Sequence, residues 1–258
     1  MLFRSPGTAV IQLDIAPEEL GRNYPNLVSL HGDARVTLQR MLSLAGSEPP
    51  RRAEWIEQVQ GYVADYRAET EPLRNSDAVP MRPERICREL EQWLPPDAVL
   101  VVDTFHAAIW TAQMTRLTRP GQRYLRCAGS LGWAFPATIG AKAARPDLPV
   151  VGFCGDAGFY YHMAELETAA RAGINMVIVV NNNHSGGVIE TAGFHRDVDF
   201  SKVAQAMGCH GERVERPADV QPALDRALAC GRPALVELLS DASIRAQRAW
   251  TPAPASGA

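Results

Sequence analysis

The residues best suited to chemistry are Gly155-Asp156-Ala157-Gly158-Phe159 and, one helix and one strand further on, Asn181-Asn182-Asn183. An acid in a glycine-rich turn, with amides closing the next strand, makes the donor set that Mg²⁺ takes when it must also hold a diphosphate. The ion is hard and octahedral. It combines one or two protein carboxylates with waters and phosphate oxygens, so one Asp plus amide oxygens is a sufficient protein contribution. Asp156 supplies the charge. A lone Gly-Asp-x-Gly is also ordinary turn chemistry, so its surroundings decide the reading.

Those surroundings predict a strand, a helix and a strand. Pro149 to Cys154 is a short apolar run that reads as a buried strand. Gly155 and Gly158 let the backbone approach a ligand closely. Tyr160 to Ala172 has helical length and composition, with Gly173 as its stop. Unpaired N–H groups at such a helix start favour a phosphate. Met176 to Val180 is a second apolar, β-branched run. A right-handed crossover between parallel strands then sets both loops at one sheet edge. Val99 to Val102 is a further strand running into Asp103-Thr104-Phe105-His106-Ala107, the place where open α/β sheets bind ligands. The expected fold is three-layer α/β, a mostly parallel sheet with helices on both faces.

Two more segments complete the pattern. Glu165-Leu166-Glu167-Thr168-Ala169 lies between the turn and the Asn cluster, and Gly129-Ser130-Leu131-Gly132-Trp133-Ala134-Phe135-Pro136-Ala137-Thr138-Ile139-Gly140-Ala141 lies upstream. Together these motifs resemble the thiamine-diphosphate-dependent enzymes, in their acetolactate-synthase-like branch, over roughly residues 98–240. The resemblance implies thiamine diphosphate and Mg²⁺ as cofactors, with the Asp156 and Asn183 side chains and the Ser185 backbone carbonyl as metal ligands. The triple Asn leaves the register open, and Asn182 competes with Asn183. Gly155, Ala157 and Gly158 form the rest of the cofactor turn. Leu131 matches the aliphatic wedge that bends the cofactor, flanked by Gly129 and Ser130 along the aminopyrimidine edge; the other reading of Leu131 is a core leucine. His106 either touches the diphosphate or packs on Trp110. Phe105 stands where relatives commonly have glycine, and Ala107 where they have a polar residue. His162 and His184 either meet substrate or are solvated, and Glu165 braces the loops or is a plain helix carboxylate. Gly186 to Phe200 corresponds to a short substrate lid containing Gly186-Gly187 and His195-Arg196-Asp197.

The resemblance divides the chain into a middle-domain remnant (1–45), a linker with one helix (46–80), the thiamine-diphosphate/Mg²⁺ domain (81–248) and a tail (249–258). In the first part, Ala9 to Ile15 reads as a strand and Asp33 as the cap of a helix from Ala34 to about Leu44. No segment resembles the pyrimidine-binding domain whose glutamate activates the cofactor, so that Glu is expected from a partner polypeptide and none here is assigned the role. FAD, which some relatives hold in the middle domain, stays unassigned because most of that pocket is missing. The function implied is the diphosphate-binding part of a 2-oxo acid carboligase or lyase, inactive alone and assembled as a homo- or hetero-oligomer. A 2-oxo acid decarboxylase subunit and a catalytically inactive cofactor-binding protein are the alternatives.

Composition adds exclusions. A net charge of −3 over 258 residues and a pI near 6.1 offer no basic footprint for nucleic acid or an anionic membrane. No apolar run approaches a membrane span, and the N-terminus lacks a signal-peptide core. Five scattered cysteines without C-x-x-C spacing suggest reduced thiols and a cytoplasmic setting. A nucleotide-binding Rossmann motif is disfavoured: the turn is no G-x-G-x-x-G, and an Asp facing a diphosphate is repulsive unless a cation intervenes.

Overall fold

The structure, a computed structural model, describes residues 8–46, 52–127, 129–184 and 198–246. The chain forms two compact units, 1–58 and 59–258. In the smaller, β1 (Ile11–Asp14) pairs in parallel with β2 (Val28–His31), Leu13 opposite Leu30. Helix α1 (Ala34–Leu44) follows, capped as its sequence predicts: the Asp33 carboxylate accepts the Val36 N–H at 2.9 Å. Helix α2 (Ala53–Arg74) begins in this unit and ends in the larger one.

The larger unit continues with α3 (Pro83–Trp93), β3 (Val99–Val102), α4 (His106–Met114), β4 (Arg123–Arg126) and α5 (Ala134–Ala144). Then come β5 (Val150–Gly155), α6 (Asp156–His162), α7 (Glu165–Ala172) and β6 (Val177–Asn182). The last elements are α8 (Phe200–Ala206), β7 (His210–Val214), α9 (Val220–Ala229) and β8 (Ala234–Leu239). The strands form one sheet in the order β4-β3-β5-β6-β8-β7, every pair parallel. Alternate residues of the central strands face opposite layers. Val102, Val179 and Val236 pack against Leu90, Ala108 and Leu224 of α3, α4 and α9. Val101, Ile178 and Leu235 pack against Ile139, Leu166 and Phe200 of α5, α7 and α8. Because both faces are covered, β3 and β6 are buried throughout, and β3 and the Val177–Val180 part of β6 read as continuous apolar runs. This is the three-layer parallel α/β fold expected from the sequence.

Three local features depart from the sequence reading. The helix expected over Tyr160–Ala172 starts four residues earlier, at Asp156, and is split in two. At the break, Leu166 N–H bonds the Met163 carbonyl and Glu167 N–H the Ala164 carbonyl at 3.1 Å each, tight i→i+3 bonds that re-aim the second helix. The next strand runs through Asn182, two residues past Val180. The edge strands β4 and β7 are polar sequences with no apolar run to announce them.

Gly152, in the middle of β5, sets how closely α5 can lie on the sheet. A Cβ there would stand 2.4 Å from Thr138 Oγ1 and 2.5 Å from Ile178 Cδ1, and Thr138 is itself tied to the Ala134 carbonyl at 2.7 Å. Gly152→Ala is expected to destabilise the fold by about 1–3 kcal/mol, measured by urea unfolding; a variant as stable as wild type would show that α5 can move away.

Candidate functional site

Parallel register brings three strand ends to one edge. Val102 pairs with Phe153 and Gly155 with Asn181, so the loop after β3, the junction of β5 with α6 and the end of β6 meet around one pocket with a volume of about 60 Å³. Of the residues singled out in the sequence, His106, Leu131, Gly155, Asp156, Ala157, Gly158 and Asn183 line it. Gly129 and Ser130 do not, although they adjoin Leu131 in the chain. Ser185 and the expected lid segment from Gly186 to Asp197 lie outside the described residues. His106 is the first residue of α4, and Trp110, one turn on, lines the same pocket.

The three asparagines go to different places. Asn182 is consumed by structure: its Nδ2 donates to Glu237 Oε1 at 2.7 Å, and its Oδ1 accepts the His184 N–H at 2.9 Å. Glu237, fully buried in β8, is held in turn by two bonds from Arg213, at 2.9 and 3.0 Å, and by the Ser201 N–H at 3.3 Å. Strand alternation turns Asn181 away from Glu237, Asn183 follows just past the end of β6, and both line the pocket. Asn183 lines the pocket, whereas Asn182 does not. Asn181 is buried, and its Oδ1 has no hydrogen-bond partner among the described residues.

Asp103, quoted in the sequence motif but given no role there, joins the loops. It is 1% exposed, and its carboxylate accepts the Gly132 N–H at 2.9 and 3.1 Å and the Thr104 N–H at 2.8 Å. Oδ2 comes so close to α6 that a Cβ on Gly158 would lie 2.3 Å from it. Gly132 has φ of +90°, and a Cβ there would meet Tyr161 and His162 at 2.8 and 2.9 Å. One carboxylate thus fixes the loop carrying Leu131 against the glycine turn, and both glycines are sterically required. Burial pushes the Asp103 carboxyl above its ordinary value, opposed by the Thr104 and Gly132 N–H groups and by His162. Burial, reinforced by Asp103 and Asp156, likewise holds the Cys154 thiol well above its usual range, so this cysteine is a neutral packing group. All five cysteines are free.

Phe105 takes a glycine-like backbone (φ 55°, ψ −134°), and the residue is 52% exposed beside the pocket. Among the described residues no group of three or more His, Cys, Asp or Glu side chains converges as a metal site. A cation in this pocket would be met by one carboxylate, amide oxygens and the oxygens of its ligand.

Comparison with known proteins agrees with this arrangement. The profile of the thiamine pyrophosphate enzyme C-terminal TPP binding domain matches residues 104–238, from the loop after β3 to the end of the sheet. The chain belongs to this family of thiamine-diphosphate enzymes. It is 27% identical over 263 residues to a probable acetolactate synthase large subunit of Methanococcus aeolicus, covering 91% of this chain and 43% of that one. It is 32% identical over 241 residues to an acetolactate synthase large subunit of Mycobacterium tuberculosis, covering 88% and 43%. A third such subunit, from Parasynechococcus marenigrum, is 30% identical over 187 residues, covering 72% and 30%. The chain thus spans less than half the length of these relatives. No helix among the described residues is long and apolar enough to cross a membrane.

Two outcomes follow from the site. The Asp103 carboxyl has a folded value above its ordinary 3.8, so its contribution to stability is fully present below that pH and is lost as pH rises through the folded value. Asp103→Asn, a neutral mimic, should therefore gain stability relative to wild type as pH rises from about 4 to 7, in urea titrations across a pH series. A relative loss would mean that the fold prefers the anion. Phe105→Gly should raise stability by roughly 1 kcal/mol, the relief of a positive φ outweighing the added freedom of the unfolded chain; a lower melting temperature would show that ring packing dominates.

Proposed function

We propose that this chain is the diphosphate-holding part of a 2-oxo acid carboligase of the acetolactate-synthase type. The observation that carries the reading is that Asp156 and Asn183 line one pocket at the joined ends of β5 and β6 while Asn182 is bound to Glu237. The residues fit the cofactor and its ion. Among the described residues, Asn181 Oδ1 has no hydrogen-bond partner, leaving an oxygen seeking a donor or cation, and a Cβ on Gly155 would meet nothing closer than a carbonyl at 4.0 Å, which leaves room for a ligand at the turn. One Asp with amide oxygens suits Mg²⁺, which keeps phosphate and water as its other ligands.

In this reading Asp156, Asn183 and the Ser185 carbonyl hold Mg²⁺, and His106, Gly155, Ala157 and Gly158 receive the diphosphate. Leu131, with Gly129 and Ser130, orients the aminopyrimidine, and Asp103 keeps that loop at its distance from the turn. Bound thiamine diphosphate supplies the electron sink for decarboxylating a 2-oxo acid. The activating glutamate comes from a polypeptide outside these residues, in an oligomer. The names of the relatives support carboligation.

Isothermal calorimetry with thiamine diphosphate and Mg²⁺ tests this reading. Wild type should take up the cofactor, Asp156→Ala should not, and adding pyruvate to the loaded chain alone should give negligible turnover. Uptake unaffected by the Asp156 change would overturn the site. Appreciable turnover by these residues alone would overturn the need for a second polypeptide.

A further inference from the structure

We propose that Asn181 is a further ligand-contacting residue of the pocket: its Oδ1 accepts a hydrogen bond from a water in the coordination sphere of the divalent cation. The inference rests on the cation site proposed above and extends it by one residue. Three observations converge. Asn181 is 8% exposed and its Oδ1 is buried without a partner among the described residues; folded proteins leave few such oxygens unmet, because each forfeits its bonds to water. It stands in register with Gly155, immediately before Asp156, and lines the same pocket as Asp156 and Asn183. It also breaks a pattern. Val177 and Val179 precede it on the same strand face and pack into the core, so packing alone would continue the row with an aliphatic residue.

The chemistry of the orphaned atom narrows the ligand. A carbonyl oxygen needs a donor or a cation, and a diphosphate oxygen offers neither. Mg²⁺ dehydrates reluctantly and keeps several waters as donors. The amide could instead present its Nδ2 to a phosphate oxygen, and aspartate at this position separates the two arrangements, since it keeps an oxygen acceptor and removes the donor.

The test uses the whole chain with thiamine diphosphate and Mn²⁺, an ion of the same oxygen-ligand preference, following the free Mn²⁺ signal by electron paramagnetic resonance. Asn181→Leu and Asn181→Ala should weaken Mn²⁺ uptake by roughly 10–100-fold, the range for lost outer-shell partners, and Asn181→Asp should retain it. Without ligands, Asn181→Leu should melt at or above wild type, because the unmet oxygen is gone. Weaker binding in a chain that is no less stable marks a residue kept for its ligand. Uptake within twofold of wild type in both the Leu and Ala variants, with Asp156→Ala defective, would overturn the role of Asn181 and leave the cation site standing. Parallel loss of melting temperature and uptake in both variants would make Asn181 structural and overturn the inference. Loss of uptake in Asn181→Asp would assign the contact to Nδ2 and overturn the Oδ1 arrangement. Unchanged uptake in Asp156→Ala would overturn the cation site, and this inference with it.

Discussion

A β-strand can offer only alternate side chains to one face, and the pocket depends on that constraint at the end of β6. Three consecutive amides arrive there, and they cannot all serve one ligand. The middle one is taken by Glu237, whose buried charge is met by Arg213. Asn182 is thus bound to a carboxylate that Arg213 and the Ser201 N–H also hold. Its neighbours line the pocket. A slip of one residue in this strand would turn Asn181 towards the buried carboxylate and Asn182 towards the pocket. The apolar residues at Val177 to Val180, sorted into two separate core layers, oppose that slip.

A second buried carboxylate does for the loops what Glu237 does for the strand. Asp103 receives the N–H of Gly132, 29 residues away in the chain, and sits where a side chain on Gly158 would otherwise project. Leu131, one residue before Gly132, thereby reaches the pocket wall, with its Cδ1 3.5 Å from the place of a Gly158 Cβ. The glycines on either side of the pocket differ: among the described residues a Cβ on Gly155 would crowd nothing, whereas Gly132 and Gly158 leave room for the protein's own packing. The strained Phe105 shows the same economy of space in reverse, with a large ring carried on a backbone suited to glycine at the pocket edge.

The legible parts of the sequence were those governed by local chemistry. The buried strands β3, β5 and β6 are apolar runs, Asp33 and Gly173 are ordinary helix signals, and the glycine turn and Leu131 were recognisable from motif spacing. The remainder depended on contacts distant in the chain. The strands β4 and β7 are polar because they are edges, and a period or hydropathy signal is weak there. The start of α6 lies inside the glycine turn, with Gly158 close against Asp103 of the loop after β3, which no helix propensity reports. That Asn182 is taken up by structure depends on Glu237, 55 residues on. Asp103 stood in a quoted motif without a role, since its partner Gly132 belongs to a different segment. The unpartnered oxygen of Asn181 could be seen only once the strand had been paired.

The central claim is that Asp156 and Asn183 share one divalent cation that tethers thiamine diphosphate, and crystals grown with the cofactor and Mn²⁺ address it directly. Anomalous scattering should give a single metal peak between the Asp156 carboxylate and the Asn183 amide, with Asn182 still bonded to Glu237. A peak on Asn182, or one away from Asp156, would contradict the account.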